Sequence, residues 1–163
     1  MRAVTEPSRM SSGIPSAPRM ERPDNRLGES SSTSREVDAA VRILIVEDEA
    51  IIAWELCSLV EEFGYEVCGV SGRASEAIRL AEQAESHLVL MDVCLARGDD
   101  GVTAAAQIKA RRQVPVVFCT AFADSQTVAR IEAVGAAGLL RKPVFPQELE
   151  SVLARVLSDS TPG

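Results

Sequence analysis

Three carboxylates, a hydroxyl and an ammonium, each just after an apolar run, could together do phosphoryl chemistry. Glu47 and Asp48 stand together, Asp92 follows Asp48 by 44 positions, Thr120 comes 28 later and Lys142 another 22. Carboxylates gathered in one place repel and resist joint ionisation unless a cation offsets them. A hard divalent ion with oxygen ligands does this, and Mg²⁺ takes one or two carboxylates with waters and phosphate oxygens. An aspartate can act as a nucleophile toward phosphorus and form an aspartyl phosphate. The transfer itself needs chiefly positioning and charge neutralisation, which the cation on one side and Lys142 on the other would supply. The Thr120 hydroxyl can then donate to a phosphoryl oxygen. Taken singly, each residue has a structural explanation. An acidic pair favours the start of a helix, a threonine at a strand end is commonplace, and a lysine before proline often faces solvent.

What joins them is the set of elements they follow. Val41–Val46 is an apolar, β-branched run ending at Glu47-Asp48-Glu49, the pattern of a strand covered on both faces. Ile52, Leu56, Leu59, Val60 and Phe63 then mark one face of a helix closed by Gly64. Glu66–Val70 is a second strand, and Ser75 is the expected cap of a short helix. Leu88–Met91 forms a third strand ending at Asp92, followed by a polar loop (Arg97–Gly101) and an Ala-rich helix through Lys109. Pro115–Cys119 is a fourth strand, ending at Thr120, and Asp124 can cap a helix from Ser125 to Val134, which Gly135 stops. Gly138–Leu140 is a brief fifth strand, ending at Arg141-Lys142. Pro146 opens the last helix, with Leu149, Val152, Leu153 and Val156 inward. Strict alternation of strand and helix predicts an α/β fold with a parallel sheet and helices on both faces. Ligands of such sheets sit outside the carboxyl ends of the strands, where all five residues fall. Strand two ends in plain Gly69-Val70-Ser71, as an edge strand outside the site would.

Composition narrows the classes further. The chain has 163 residues, 46% of them apolar, and a formal net charge of −7. Residues 1–40 hold six basic and six acidic residues, eight serines and four of the eight prolines, so all of the net charge belongs to the remainder. So little apolar surface cannot offset chain entropy, and residues 1–40 read as a disordered leader. Residues 41–158 are the expected domain and 159–163 a frayed tail. No apolar run nears the roughly 18 residues of a membrane span. An acidic balance also argues against a nucleic-acid surface, which needs clustered Lys and Arg. Four cysteines without a C-x-x-C pair fit a reduced, cytoplasmic chain.

Ile43–Glu49 (ILIVEDE), Leu90-Met91-Asp92, Thr120-Ala121 and Lys142-Pro143 resemble the receiver domain of bacterial two-component response regulators, the fold of the chemotaxis regulator. The resemblance spans about residues 41–158, and on this sequence no C-terminal output domain is expected. It implies a flavodoxin-like, doubly wound (βα)5 fold with strand order 2-1-3-4-5. It implies Asp92 as phosphoacceptor and metal ligand, Asp48 binding Mg²⁺ directly, Glu47 mainly through water, and the Cys94 backbone carbonyl as a further ligand. Thr120 would be the switch hydroxyl and Lys142 a phosphoryl contact, with the Lys142-Pro143 peptide cis. The phosphodonor would be a sensor histidine kinase or a histidine phosphotransfer protein. A downstream protein would bind the face of helix four, strand five and helix five, where Arg130, Glu132, Gln147 and Glu150 surround Leu139; a homodimer stays open. Such a domain is no turnover enzyme, although it assists its own phosphorylation and dephosphorylation.

Three positions depart from the family pattern. The usual Met-Pro after the acceptor is Leu95-Ala96, and the usual Gly arrives one residue late, at Gly101. The aromatic partner of the threonine is Leu139, so coupling falls either to backbone shifts after Thr120 or to Phe122. The two positions that tune hydrolysis are Cys94 and Phe122, neither able to orient water. The aspartyl phosphate is therefore expected to be long-lived, and a half-life of seconds in Mg²⁺ would contradict this. Of the rest, His87 reads as a surface ring and Cys57, Cys68 and Cys119 as core. Trp54, early in the first helix, is either an interface residue or a cover for the sheet, and the cover is the preferred reading. Within the same class a phosphate sink or phosphorelay intermediate remains an alternative. A haloacid-dehalogenase-like phosphohydrolase would want its nucleophile after strand one and a cap for substrate, and a pseudo-receiver would not need the intact acids, Thr120 and Lys142.

Overall fold

Apolar runs of four or five residues, broken by glycine and acid, set the strands, and the amphipathic stretches between them set the helices. The structure, a computed structural model, describes residues 40–121 and 124–160. In chain order these are β1 (Arg42–Val46), α1 (Ala50–Glu62), β2 (Glu66–Ser71), α2 (Ala74–Gln83), β3 (Leu88–Asp92), α3 (Gly101–Arg111), β4 (Val116–Thr120), α4 (Ser125–Ala133), β5 (Gly138–Arg141) and α5 (Pro146–Ser160). A single 3₁₀ turn, Ala96–Gly98, precedes α3. All neighbouring strands pair in parallel in the order β2-β1-β3-β4-β5, as the resemblance implies. The expected leader, residues 1–40, lies outside the described residues apart from Ala40. Among the described residues no helix is long and apolar enough to cross a membrane.

Because successive strand side chains point to opposite faces, the all-apolar strands feed two cores. Ile43, Ile45, Leu88, Leu90, Val117 and Cys119 meet Leu56 and Val60 of α1 and Leu149, Leu153 and Val156 of α5. Leu44, Val46, Val89, Met91, Val116 and Phe118 form the other core with α2, α3 and Ile131 of α4. Each fully buried Leu or Ile contributes roughly 1.5–3 kcal/mol. Ala77, Ala81, Ala104 and Ala105 are at most 1% exposed; their lack of bulk lets α2 and α3 pack closely on the sheet.

Several local expectations change. Ser75 does not cap α2: the N-cap is Arg73, in extended conformation without a side-chain cap bond. The Asp99 carboxylate reaches in instead, accepting from the Ala74 amide at 3.0 Å and from Arg73 Nε at 3.2 Å. Asp124 does cap α4, accepting from the Thr127 amide at 2.7 Å. Trp54 is 71% exposed and covers no sheet, because Ala53 and Leu56, not Trp54, face inward on α1. Cys119 is buried, whereas Cys57 and Cys68 are only half-buried. α5 runs on to Ser160, its Ser158 and Ser160 hydroxyls donating to carbonyls four residues back. His87 is exposed, as expected, and Thr161–Gly163 lie outside the described residues.

Candidate functional site

Parallel strands that all end on one rim bring the five residues together. Asp92 and Thr120 are the last residues of β3 and β4, Glu47-Asp48 follow β1 directly, and Lys142 follows β5. The Glu47 amide donates to Ser71 O at 2.8 Å, which carries the chain across the end of β2 and turns Glu47 inward. Glu47, Asp92 and Thr120 are buried at 3%, 6% and 2% exposure, while Asp48 is exposed at the mouth. One hollow is lined by Asp48, Asp92, Cys94, Thr120 and Lys142.

The electrostatics centre on Lys142. Its Nζ donates to Asp92 Oδ2 at 2.6 Å and forms an ion pair with Glu47 Oε2 at 2.6 Å. Burial alone would lower the Lys142 pKa, but the hydrogen bond to Asp92 and the contact with Glu47 outweigh it and hold the ammonium above its usual value. Burial pushes the Glu47 carboxyl up, against the contact with Lys142 and a bond from the Glu49 amide to Oε1 at 3.1 Å. The other Asp92 oxygen, Oδ1, accepts from the Cys94 amide at 3.3 Å.

One ammonium does not offset three carboxylates. An oxygen from each of Glu47, Asp48 and Asp92 lies within 4.8 Å of the other two. An all-oxygen donor set with excess negative charge and one open side suits a hard divalent cation such as Mg²⁺. The residues present therefore fit the ion that the sequence implies.

The loop after Asp92 absorbs its extra residue away from this hollow. Leu95 N donates to Asp99 O at 3.0 Å, and Cys94 and Asp100 bridge antiparallel, so residues 95–99 form a closed turn. Arg97 and Gly98 adopt φ of 60° and 78° there, a left-handed pair that tightens the turn. The chain then returns beneath Asp92, where the Gly101 amide donates to Val93 O at 2.8 Å. A Cβ on Gly101 would lie 1.8 Å from the Asp92 carbonyl oxygen, so the position takes only glycine without a backbone shift. Asp100 caps α3 through the Val102 and Thr103 amides and pairs with Arg130 of α4. The Asp100 cap of α3 is local and of the residue type that starts helices, but nothing in the sequence marks Asp99 for Ala74 or Asp100 for Arg130, because those partners lie 25 and 30 positions away.

Leu139, in the place of the family's aromatic, is half-buried and packs against the α2–α3–α4 core. Phe122 lies outside the described residues. The Lys142-Pro143 peptide is cis.

A doubly wound parallel sheet with a buried aspartate, an acidic mouth and a lysine at the carboxyl ends of its strands defines a class: the flavodoxin-like signalling domains. Within it the family is settled by comparison. Residues 43–154 match the response regulator receiver domain model, and the chain belongs to that family. Over 116 residues it is 44% identical to the transcriptional regulatory protein PdtaR of Mycobacterium tuberculosis, a match covering 70% of this chain and 56% of that one. Over 121 residues it is 36% identical to the phyllosphere-induced regulator PhyR of Methylorubrum extorquens, covering 74% and 45%. The chain thus spans about half the length of these curated relatives. Among solved structures, the signal receiver domain of a modulated diguanylate cyclase from Desulfovibrio desulfuricans superimposes with a TM-score of 0.70 at 32% identity. That match covers 74% of this chain and 96% of the neighbour. Receiver domains of this family generally bind Mg²⁺ in such an acidic pocket and exchange phosphoryl groups with histidine kinases or phosphotransfer proteins.

Proposed function

We propose that Asp92 accepts a phosphoryl group from the phosphohistidine of a sensor kinase or phosphotransfer protein, and that the product signals by protein contact. The observation that carries this reading is the placement of Asp92, buried at the end of β3 between the Lys142 ammonium and the Glu47–Asp48 pair. A carboxylate oxygen of Asp92 attacks phosphorus, the N–P bond breaks and the donor imidazole leaves. Lys142, already at hydrogen-bond distance from Asp92, stays beside the added oxygens and offsets part of their charge. Thr120, buried at the end of β4, would donate its hydroxyl to one of them. Glu47, Asp48 and Asp92, with the Cys94 carbonyl, would hold Mg²⁺, which would supply the remaining counter-charge.

Surface chemistry beside the site supports a protein donor. Ile51, Trp54 and Phe145 are 75%, 71% and 56% exposed, and the hollow against Trp54 is also lined by Lys142, Pro143 and Pro146. An apolar face that adjoins the acceptor suits a partner that buries it while delivering phosphate. Downstream, the surface of α4, β5 and α5 presents exposed Arg130, Glu132, Gln147 and Glu150 around Leu139, and we assign the output contact to it. A cytoplasmic location goes with this reading.

Incubation of the full chain with acetyl phosphate and Mg²⁺, followed by intact-mass measurement, tests the proposal. One added phosphoryl group is expected on the wild type and none on Asp92→Asn. Labelling that persists in Asp92→Asn, or catalytic turnover of the donor without a protein adduct, would refute it.

A further inference from the structure

At the end of the sheet opposite Asp92, where β1, β3 and β4 begin, lies a second hollow of about 510 Å³ that the phosphoryl chemistry does not use. Its polar lining consists of Arg112, His87, Gln113, Ser86, Ser158 and Ser160, and no carboxylate stands among its described lining residues. In a chain of net charge −7, an acid-free wall holding a guanidinium is a local inversion of sign. Tyr65 and Pro115 add apolar surface.

Arg112 and His87 are arranged as donors, whereas the Ser158 and Ser160 hydroxyls donate to carbonyls of their own helix. Arg112 donates to the Ala81 carbonyl at 3.4 Å, which anchors the side chain and occupies one of its five N–H groups. His87 Nδ1 accepts from the Arg42 amide at 2.9 Å, so the neutral ring carries its proton on Nε2, also a donor. Ser86 is 2% exposed, and its Oγ has no hydrogen-bond partner among the described residues. A buried hydroxyl left unpaired costs folding free energy, and because this Oγ is closed to solvent it would meet a bound oxygen by rotating about χ1 toward the hollow.

We propose that this hollow binds a small organic monoanion, a carboxylate on a compact apolar body. Arg112 is the counter-ion and Ser86 a further hydrogen-bonding partner. A planar guanidinium matches a carboxylate with two parallel hydrogen bonds. The volume falls in the range of small-molecule sites. With one guanidinium and no Lys among the described lining residues, a dianion such as phosphate would remain under-neutralised. The proposal is independent of Asp92.

Titration of the ¹⁵N-labelled full chain with sodium benzoate tests it, with benzyl alcohol as the neutral counterpart and inorganic phosphate as the dianion. Saturable amide shifts are expected for His87, Gln113 and Ser158, with benzyl alcohol and phosphate both weaker. Arg112→Gln should weaken benzoate about tenfold, the loss of one charge-assisted contact. Ser86→Ala provides a second handle: it should weaken benzoate while leaving the ligand-free melting temperature unchanged or raised. Shifts that stay linear, benzyl alcohol or phosphate binding as well as benzoate, or Arg112→Gln and Ser86→Ala both binding like wild type would overturn the assignment.

Discussion

Replacing Lys142 with methionine removes the ammonium and keeps most of the stem's volume. That ammonium lies 2.6 Å from Asp92 Oδ2 and 2.6 Å from Glu47 Oε2, with the Lys142 and Glu47 side chains only 9% and 1% exposed. Removing one partner of a buried ion pair destabilises by about 3–5 kcal/mol, because the other charge stays buried and unpaired. The open mouth at Asp48 lets water relax part of this, so about 3 kcal/mol is expected near pH 7.5 without divalent metal. The pH dependence follows from Glu47. Burial already raises its pKa and Lys142 is among the groups holding it down, so the variant's Glu47 rises further. A carboxyl whose folded value exceeds its unfolded one gives stability that is full below the unfolded value and lost as pH rises through the folded one. The deficit should therefore shrink as pH falls toward about 5, and added Mg²⁺ should restore stability at neutral pH by binding the folded state. Urea unfolding followed by circular dichroism, at several pH values with and without Mg²⁺, measures all of this. A variant with the wild-type midpoint at neutral pH, or a deficit that does not shrink on acidification, would refute the account.

Three further outcomes follow from the same geometry. Gly101→Ala, whose Cβ would meet the Asp92 carbonyl oxygen at 1.8 Å, should lose about 2–3 kcal/mol in urea unfolding, toward the upper end of overpacking costs, and should slow labelling by acetyl phosphate. An unchanged urea midpoint would contradict the close approach. Arg130→Ala breaks the pair with Asp100, but the two side chains are 46% and 33% exposed, so the loss should stay below about 1 kcal/mol and fade in high salt. In iodoacetamide labelling read by peptide mass, exposed Cys94 should react first; Cys119, its thiol pushed up to about 12 by burial, should stay unmodified until the chain unfolds.

A parallel sheet covered on both faces was legible because such a sheet leaves unbroken apolar runs, and β1, β3 and β4 are such runs; the strand order came from the family resemblance alone. The rim residues were legible for a related reason: each sits immediately after a run, and parallel strands all end on one side. What was not legible depends on contacts distant in sequence. Ser75 has the residue type of a cap, yet α2 begins at Ala74, and the bond to its first amide comes from Asp99, 25 positions on. Trp54 lies one position from Ala53 on α1, and that single step turns it from the sheet to solvent. Cys57 and Cys68 sit on apolar elements but at the margins of the packing, which apolar pattern alone does not reveal.

The late glycine shows how a departure in sequence can leave a site intact. A loop one residue longer could move either the acceptor or the start of α3. Here both are pinned, the first by the Cys94 amide on Asp92 Oδ1 and the second by Gly101 packed under the Asp92 carbonyl. The surplus chain has only the Ala96–Gly98 turn in which to go. Once there, its far side carries Asp99 to the start of α2 and Asp100 to Arg130. The loop nearest the acceptor thus touches three helices, whereas Leu139, which has no ring to turn, is half-buried against the core. Contacts run without a gap from Asp92 through the Cys94 amide and the Cys94–Asp100 bridge to Arg130 on α4. These polar contacts link the acceptor loop to α4 without involving Leu139.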